Sequence, residues 1–245
     1  MRDPYMTIAG QSSPGGICLK NYCLFIHSHD IVIRHLRFRP GNEPFEKKWV
    51  KEDHWSTDAI EIKGNSKNII IDHCSTSWGN DETLSLFGAG ITNVTVQWCF
   101  ITESLNDSSH QKGKHGMGSL IVTNGKISFH HNLFAFHRTR SPKPGSMGGV
   151  SLVDFRNNVM YQGGRGYTSG EDRVNVNFIA NHHSDTPFKA VDNCYIYEKG
   201  NVGDIKNGIR QEKEFEVAKV KTTSAEQARE DVLNKAGAIR PFRDS

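Results

Sequence analysis

The sequence predicts an all-β fold: a solenoid of stacked coils with parallel strands, closed by a short C-terminal α-helix. Three observations predict it. Helical periodicity is nearly absent, and the short apolar runs are β-branched and alternate with period two, as strands do. Six of these runs align with one another: Ile31-Val-Ile-Arg-His-Leu36, Ile69-Ile-Ile-Asp-His-Cys74, Val94-Thr-Val-Gln-Trp-Cys99, Ile127-Ser-Phe-His-His-Asn132, Val153-Asp-Phe-Arg-Asn-Asn158 and Val176-Asn-Phe-Ile-Ala-Asn181. Their third positions, residues 33, 71, 96, 129, 155 and 178, lie 38, 25, 33, 26 and 23 apart.

A period of about 23–26 residues with longer exceptions describes a coil of fixed size carrying loops of variable size. One such coil, a strand, a turn and two more short strands, cannot bury its apolar face alone. Neighbours must stack into a continuous core. The first and third positions of each run are apolar, so they face inward. The sixth is Leu, Cys, Cys, Asn, Asn, Asn. Stacked in register, Cys74, Cys99, Asn132, Asn158 and Asn181 are expected to line one interior column, with the amides forming a ladder at strand spacing. The alternative is an unrelated β-sandwich, but alternation alone does not align a sixth position.

Three excursions leave the coils: Pro40–Thr57, Glu103–Gly118 and Arg138–Gly149. Loops on a rigid scaffold are where sites are built. At the C-terminus, Thr223-Ser-Ala-Glu226 reads as a capping box, with Ala225, Ala228, Val232 and Leu233 on one helical face and Gly237 as the stop. Residues 1–245 are thus expected to form one solenoid domain with 222–237 as a helical tail packed on it.

Composition removes several classes. The chain has 245 residues, 36% of them apolar and spread throughout, which argues against disorder. Its longest unbroken apolar run, Tyr22–Ile26, falls far short of the roughly 20 residues a membrane span needs. Thirty basic and 27 acidic residues give +3, too little and too dispersed to call for nucleic acid. Five scattered cysteines make no disulfide framework. Met1 opens a polar, Pro-containing stretch rather than a leader, so a secreted or periplasmic origin requires one already trimmed. No phosphate loop, dinucleotide fingerprint or nucleophilic-serine motif occurs.

Two sets of residues could carry chemistry. Asp58 and Asp81 lie 23 residues apart, one coil, and Glu82 follows Asp81. Carboxylates on adjacent coils could form part of a calcium shell, which is built from oxygen ligands. Arg138, Arg140 and Lys143 form a basic set around Pro142, and guanidinium is a fork suited to carboxylate. The competing account of both sets is solvated surface charge. The histidines read as packing groups: His130 and His131, adjacent in a strand, should point to opposite faces, and His110 and His115 lack zinc-ligand spacing.

Thr7-Ile-Ala-Gly-Gln-Ser-Ser-Pro-Gly15, Ile70-Ile-Asp-His-Cys-Ser75, Ser77-Trp-Gly-Asn-Asp-Glu82, His130-His-Asn-Leu-Phe134 and Arg138-Thr-Arg-Ser-Pro142 together resemble a bacterial pectate lyase of polysaccharide lyase family one. The resemblance runs from about residue 7 to the end and implies a right-handed parallel β-helix. It implies calcium-assisted β-elimination on polygalacturonate, with Ca2+ as cofactor. A monomer is expected because solenoids with capped ends are usually monomers, although the missing N-terminal cap leaves that open. By the same resemblance Arg140 of Arg-x-Pro is the base, although arginine ordinarily stays protonated. Asp58 matches a calcium-site aspartate, and Asp81 with Glu82 stands where further calcium carboxylates belong. Lys114, with Lys112 nearly as good, matches a substrate-binding lysine. Ser85 stands where other members carry an acid, and Gly145 where they carry a second arginine, for which Lys143 or Arg138 would substitute. The chain starts deep in the family pattern, so an N-terminal cap is expected to be missing. Rival readings are a polygalacturonase, a pectin lyase and an inactive pectin-binding β-helix.

Overall fold

The computed structural model describes residues 1–42, 56–168, 172–191 and 193–242. Residues 43–55 of the Pro40–Thr57 excursion therefore lie outside the described residues. The chain winds as predicted, three short strands to each of the first six coils and two to each of the next two. The first coil comprises β1 (Met6–Ala9), β2 (Ile17–Lys20) and β3 (Leu24–Ile26); the second β4 (His29–Arg34), β5 (Leu36–Arg39) and β6 (Ile60–Lys63). Then come β7 (Lys67–Asp72), β8 (Ser75–Thr76) and β9 (Leu84–Phe87), and β10 (Thr92–Gln97), β11 (Phe100–Thr102) and β12 (Leu120–Val122). The fifth and sixth coils are β13 (Lys126–His130), β14 (Leu133–Ala135), β15 (Lys143–Gly145), and β16 (Ser151–Arg156), β17 (Val159–Tyr161), β18 (Gly166–Tyr167). The last are β19 (Val174–Ile179) with β20 (Phe188–Lys189), and β21 (Cys194–Lys199) with β22 (Ile205–Lys206), before β23 (Ile209–Arg210).

Corresponding strands stack into sheets in which every pairing is parallel. The longest sheet among the described residues runs β1-β4-β7-β10-β13-β16-β19-β21-β23. A second runs β2-β5-β8-β11-β14-β17. The third, β3-β6-β9-β12-β15, is followed along the same side by β18-β20-β22. The structure is a parallel β-helix. First and third positions of the aligned runs stack in register, Ile31 on Ile69 on Val94 on Ile127, and Ile33 on Ile71 on Val96 on Phe129. All of these are buried, and Phe129, Phe155 and Phe178 stack at 5.3 and 6.2 Å between ring centroids.

The sixth-position column is interior, and its chemistry explains its composition. The Asn132 Oδ1 accepts the N–H of Cys99, and its Nδ2 donates to Val96 O and to Asn158 Oδ1. Asn158 repeats this with Asn132, Phe129 and Asn181. At this corner the backbone turns out of the ladder, so each buried amide replaces strand partners the backbone has lost. Cys99 Sγ accepts the Cys74 N–H in the same place. The ladder continues one coil beyond expectation, to Asn201, which accepts from Asn181 N and Nδ2.

The fifth position corrects the sequence reading. His35, His73, Trp98, His131, Asn157 and Ala180 are not strand residues: each adopts positive φ, between 49° and 56°, and makes the corner between the first and second sheets. Their rings therefore stack outside the helix, His35–His73–Trp98–His131, at 5.0, 5.9 and 4.3 Å between centroids. Consequently His130 and His131 do not point to opposite faces; their Nδ1 atoms lie 3.0 Å apart.

Helix α1 (Ala225–Lys235) is the α-helix expected, with two corrections. Its cap is Ser224, not Thr223: the Ser224 hydroxyl accepts from Gln227 N at 3.2 Å. Thr223 instead exchanges both backbone hydrogen bonds with the Asn157 side chain, tying the tail to the corner column. Ala225, Ala228 and Val232 are buried, but Leu233 is 41% exposed and lies off the packed face. Val232 and Ala236 pack with Val159 against Trp98, Phe100 and Leu133. Gly237, at φ +87°, ends the helix, and its N–H donates to Trp98 O. No helix among the described residues is long and apolar enough to cross a membrane.

Burial makes several histidines acid-sensitive. His130, His131 and His137 are each pushed down to about 4, burial being the largest cause. His137 is held neutral between Ile101 O (Nε2, 2.7 Å) and Ser104 Oγ (Nδ1, 2.8 Å). A folded value below the unfolded 6.5 means stability present above pH 6.5 and lost as pH falls toward 4. The urea midpoint should therefore drop between pH 7 and pH 4.5, with His137 alone responsible for up to about 3 kcal/mol at the acid end. His137→Gln should flatten that dependence; an equally steep drop would remove His137 as its source.

Candidate active site

The site forms where three loops leave the second sheet and return to the third. Register fixes its layout. Parallel single-residue bridges stack Glu82 on Met117 and Met117 on Thr139, so residues 77–83, 103–119 and 136–142 lie side by side. Met117 N donates to Asp81 O, and Ser119 N to Arg140 O. Gly118 permits this: a Cβ there would stand 2.4 Å from Arg140 O.

The acidic set comes together as expected. The ligand oxygens of Asp58, Asp81 and Glu82 all lie within 4.8 Å of one another. The closest backbone partner of Asp58 is Glu82 rather than Asp81: Asp58 Oδ1 accepts Glu82 N at 3.1 Å. Ser85, on β9, donates its hydroxyl to Asp58 Oδ2. Asp58 is buried, and burial holds its carboxyl well above the usual range, with Glu61 and Asp81 adding to the effect and the Ser85 hydrogen bond opposing it. A charge in that position calls for a cation.

Asp81 is flanked by imidazoles. His115 Nε2 lies 3.0 Å from Oδ1 and His110 Nε2 3.7 Å from Oδ2. The two rings stack at 4.0 Å and 6°. Parallel rings one layer apart cannot both aim in-plane lone pairs at one ion. His110 Nδ1 also accepts from Lys112 N, which leaves the proton on Nε2 toward Asp81. His110 and His115 both stand against the Asp81 carboxylate, and one ligand atom from each of the three residues lies within 4.8 Å of the others.

The basic set divides. Arg140, at φ +60°, turns its side chain directly onto the acidic set and forms an ion pair with Glu82. The stacking of one coil on the next brings the 136–142 loop against the acidic set directly. Arg138 is exposed, and its Nη1 donates to Lys114 O at 2.8 Å, pinning the 103–118 loop. Lys112 and Lys114 are both exposed on that loop. Lys143, on β15, stands 5.5 Å from the Tyr167 ring centroid; burial and the nearby Arg140 charge lower its pKa, while Tyr167 opposes.

Two residues escaped the sequence reading. Glu61 is paired in register with Ser85, where an acid is missing from the family pattern, and is ion-paired to Lys63 at 2.8 Å. Arg165 follows Arg140 by one coil, stacks over Tyr167 at 5.4 Å, and shares an open recess with Arg138, Thr139 and Gly164. Both were marked by the repeat, at 24 and 25 residues from their partners, but neither lies in a recognisable motif.

The structure is thus a parallel β-helix with clustered carboxylates and an arginine in one loop-built site. Sequence relatives make the kinship specific. The chain is 36% identical over 192 residues to "Probable pectate lyase C" of Aspergillus flavus, covering 76% of this chain and 40% of that protein. It is 37% identical over 183 residues to the protein of the same description in Aspergillus oryzae, covering 72% and 38%. The chain is a homologue of the pectate lyases, and the resemblance read from its motifs holds. It spans about 40% of the length of the curated relatives it matches. No family model matches. Among solved structures, pectate lyase Bsp165PelA from Bacillus sp. N165, in complex with trigalacturonate, superposes with a TM-score of 0.59 at 17% identity, covering 96% of this chain and 86% of that one. Pectate lyase C from Erwinia chrysanthemi, solved with Ca2+, gives 0.56 at 16%, covering 98% and 73%. These likenesses show the shared fold.

Proposed function

We propose that this protein cleaves α-1,4-linked polygalacturonate by calcium-assisted β-elimination and releases 4,5-unsaturated oligogalacturonides. The observation that carries the proposal is the convergence of Asp58, Asp81, Glu82 and Arg140 in one site of a pectate-lyase homologue. The carboxylates suit a hard divalent cation: they offer only oxygen, and the buried charge of Asp58 lacks a direct cationic partner among the described residues. Asp58, Asp81 and Glu82 would hold Ca2+, with Glu61 adjacent. The bound ion would supply positive charge against the substrate carboxylate and so acidify the proton on C5.

The chain's own groups do the rest in this reading. Arg140 reacts as its neutral guanidine, its own proton released to solvent beforehand: it takes the C5 proton and becomes guanidinium, the C5–H electron pair becomes the C4–C5 double bond, and the glycosidic oxygen leaves C4 and is protonated by solvent. Arg140 is tied to Glu82 by an ion pair, and Glu82, in holding Ca2+, would release Arg140 from that pair. Lys143 and Lys114 bind neighbouring uronate carboxylates, with Lys112 close to Lys114. Arg138 holds the loop that presents them. Activity outside the cytoplasm, as a monomer, fits a polymeric substrate.

Ultraviolet absorbance of unsaturated product on polygalacturonate, first with calcium and then with chelator, tests the proposal. A rise that chelator abolishes is expected. Reducing ends without absorbance would indicate hydrolysis. A rise confined to methyl esters and indifferent to chelator would indicate a pectin lyase, and binding without either signal an inactive β-helix.

A further inference from the structure

The second sheet ends in a left-handed corner of its own. Trp78, Glu103, Phe136 and Gln162 follow its strands on successive coils, with φ of 65°, 53°, 59° and 43°. Backbone bonds stack them: Trp78 N donates to Glu103 O, Glu103 N to Ala135 O and Phe136 N to Tyr161 O. Left-handed backbone disfavours bulky side chains, and glycine or asparagine is its ordinary occupant. At the first corner packing explains the exception, because Trp98 lies against Val232 and Ala236. Burial does not explain the second: Trp78 is 43% exposed, Phe136 49% and Tyr161 43%. Exposed rings on strained backbone point to a use for the rings themselves. They are also held in place. The Arg39 guanidinium lies 5.6 Å from the Trp78 centroid, and its Nη1 donates to Phe38 O and Ser75 O. Phe136 meets Tyr161 edge to face at 5.7 Å, and Gln162 Nε2 donates to the Tyr161 hydroxyl.

We infer that Trp78, Phe136 and Tyr161 form a stacking platform for a neutral, extended β-1,4-linked glycan, outside the acidic site. Area, charge and spacing select that occupant. The three rings expose roughly 300 Å² together. That is far below the about 800 Å² per partner of a stable protein interface, but it suits a few sugar rings. Arg39 and Glu103 offset each other's charge, so the column has no net charge of its own to draw in a polyanion. Trp78 and Phe136 stand two coils apart, about 9.5 Å at strand spacing. In an extended β-1,4 chain every second pyranose presents the same face, and that separation is close to one disaccharide. A pyranose with equatorial hydroxyls offers an apolar C–H face to each ring, while its rim hydroxyls reach Glu103 and Gln162. Rings already fixed lose little freedom on binding. The inference goes beyond the lyase reading and does not depend on it.

The test is native electrophoresis through gels containing hydroxyethyl cellulose, a soluble β-1,4-glucan. Wild-type protein should be retarded equally at low salt and at about 0.15 M, where charge-driven binding is screened. Trp78→Asn/Phe136→Asn should bind about tenfold more weakly, a factor of about three for each ring. Asparagine suits left-handed backbone, so the thermal midpoint of this variant should equal or exceed that of wild type. Phe136→Tyr keeps a ring at the corner and should bind as wild type. Tyr161→Thr, at a strand position suited to threonine, leaves the corner intact and should lose the single factor of three. A wild-type protein that is not retarded, or ring-deleted variants that bind as wild type, would overturn the platform. A lower midpoint in the double variant with unchanged binding in Tyr161→Thr would make the rings structural and overturn it as well. Two further results would reassign the rings and reject the glycan: a wild-type dimer that the double variant abolishes, or a loss of retardation by polygalacturonate instead of hydroxyethyl cellulose.

Discussion

Arg140→Lys is expected to lower kcat on polygalacturonate by roughly 10²–10⁴-fold, the contribution typical of a general base, with kcat/KM falling at least as far. Lysine keeps the charge but loses the planar fork, with one nitrogen in place of three and a reach shorter by one bond. If Arg140 only bound carboxylate, the same change would chiefly raise KM. The ion pair to Glu82 sharpens the comparison, because a lysine can still satisfy that buried carboxylate and the fold is preserved. Arg138→Lys should be far milder and appear mainly in KM, since Arg138 holds Lys114 O rather than the acidic set. A near-normal kcat in folded, calcium-replete Arg140→Lys would remove Arg140 as the base and turn attention to Lys143, Lys114 and Lys112.

The coil was legible because its signal is redundant: two apolar columns and one polar column repeat together. What the corner does was not legible. Left-handed residues are usually flagged by glycine, yet His35, His73, Trp98, His131, Asn157 and Ala180 carry that conformation here. The surrounding amide and cysteine column over-determines the bend, so no local residue type is needed to announce it. Asn201 was missed for a related reason. Its run has Glu198 at the third position, near the end of the stack, where an apolar residue is no longer required.

The site follows the same logic. Asp58 and Asp81 were visible through one-coil spacing, but spacing accurate to a residue is needed to see that Glu82 and Ser85 are the direct partners of Asp58. Lys112, Lys114 and Arg138 sit in loops whose length breaks the repeat, so no periodicity could predict which of them meets the acids. Glu61 and Arg165 obey the repeat but belong to no motif. Register, and not residue type, is what assigns them a place.

Asp58→Asn should separate calcium binding from catalysis. The amide keeps an acceptor for Glu82 N–H and a polar partner for Ser85, so the local hydrogen bonds survive. It removes a carboxylate that burial makes costly to ionise. Two opposite effects follow. Without calcium the variant should be at least as stable as wild type at pH 7, because a buried charge has gone. With calcium it should gain much less, since stabilisation by a ligand scales with the logarithm of its concentration over Kd. The calcium concentration giving half-maximal activity should rise at least tenfold, about 1.4 kcal/mol of binding, while saturating calcium restores most of kcat. Calorimetric calcium titration and thermal melts with and without chelator measure both effects. An unchanged half-saturation together with an unchanged calcium-induced rise in Tm would exclude Asp58 as a ligand and leave Asp81, Glu82 and Glu61 to form the shell.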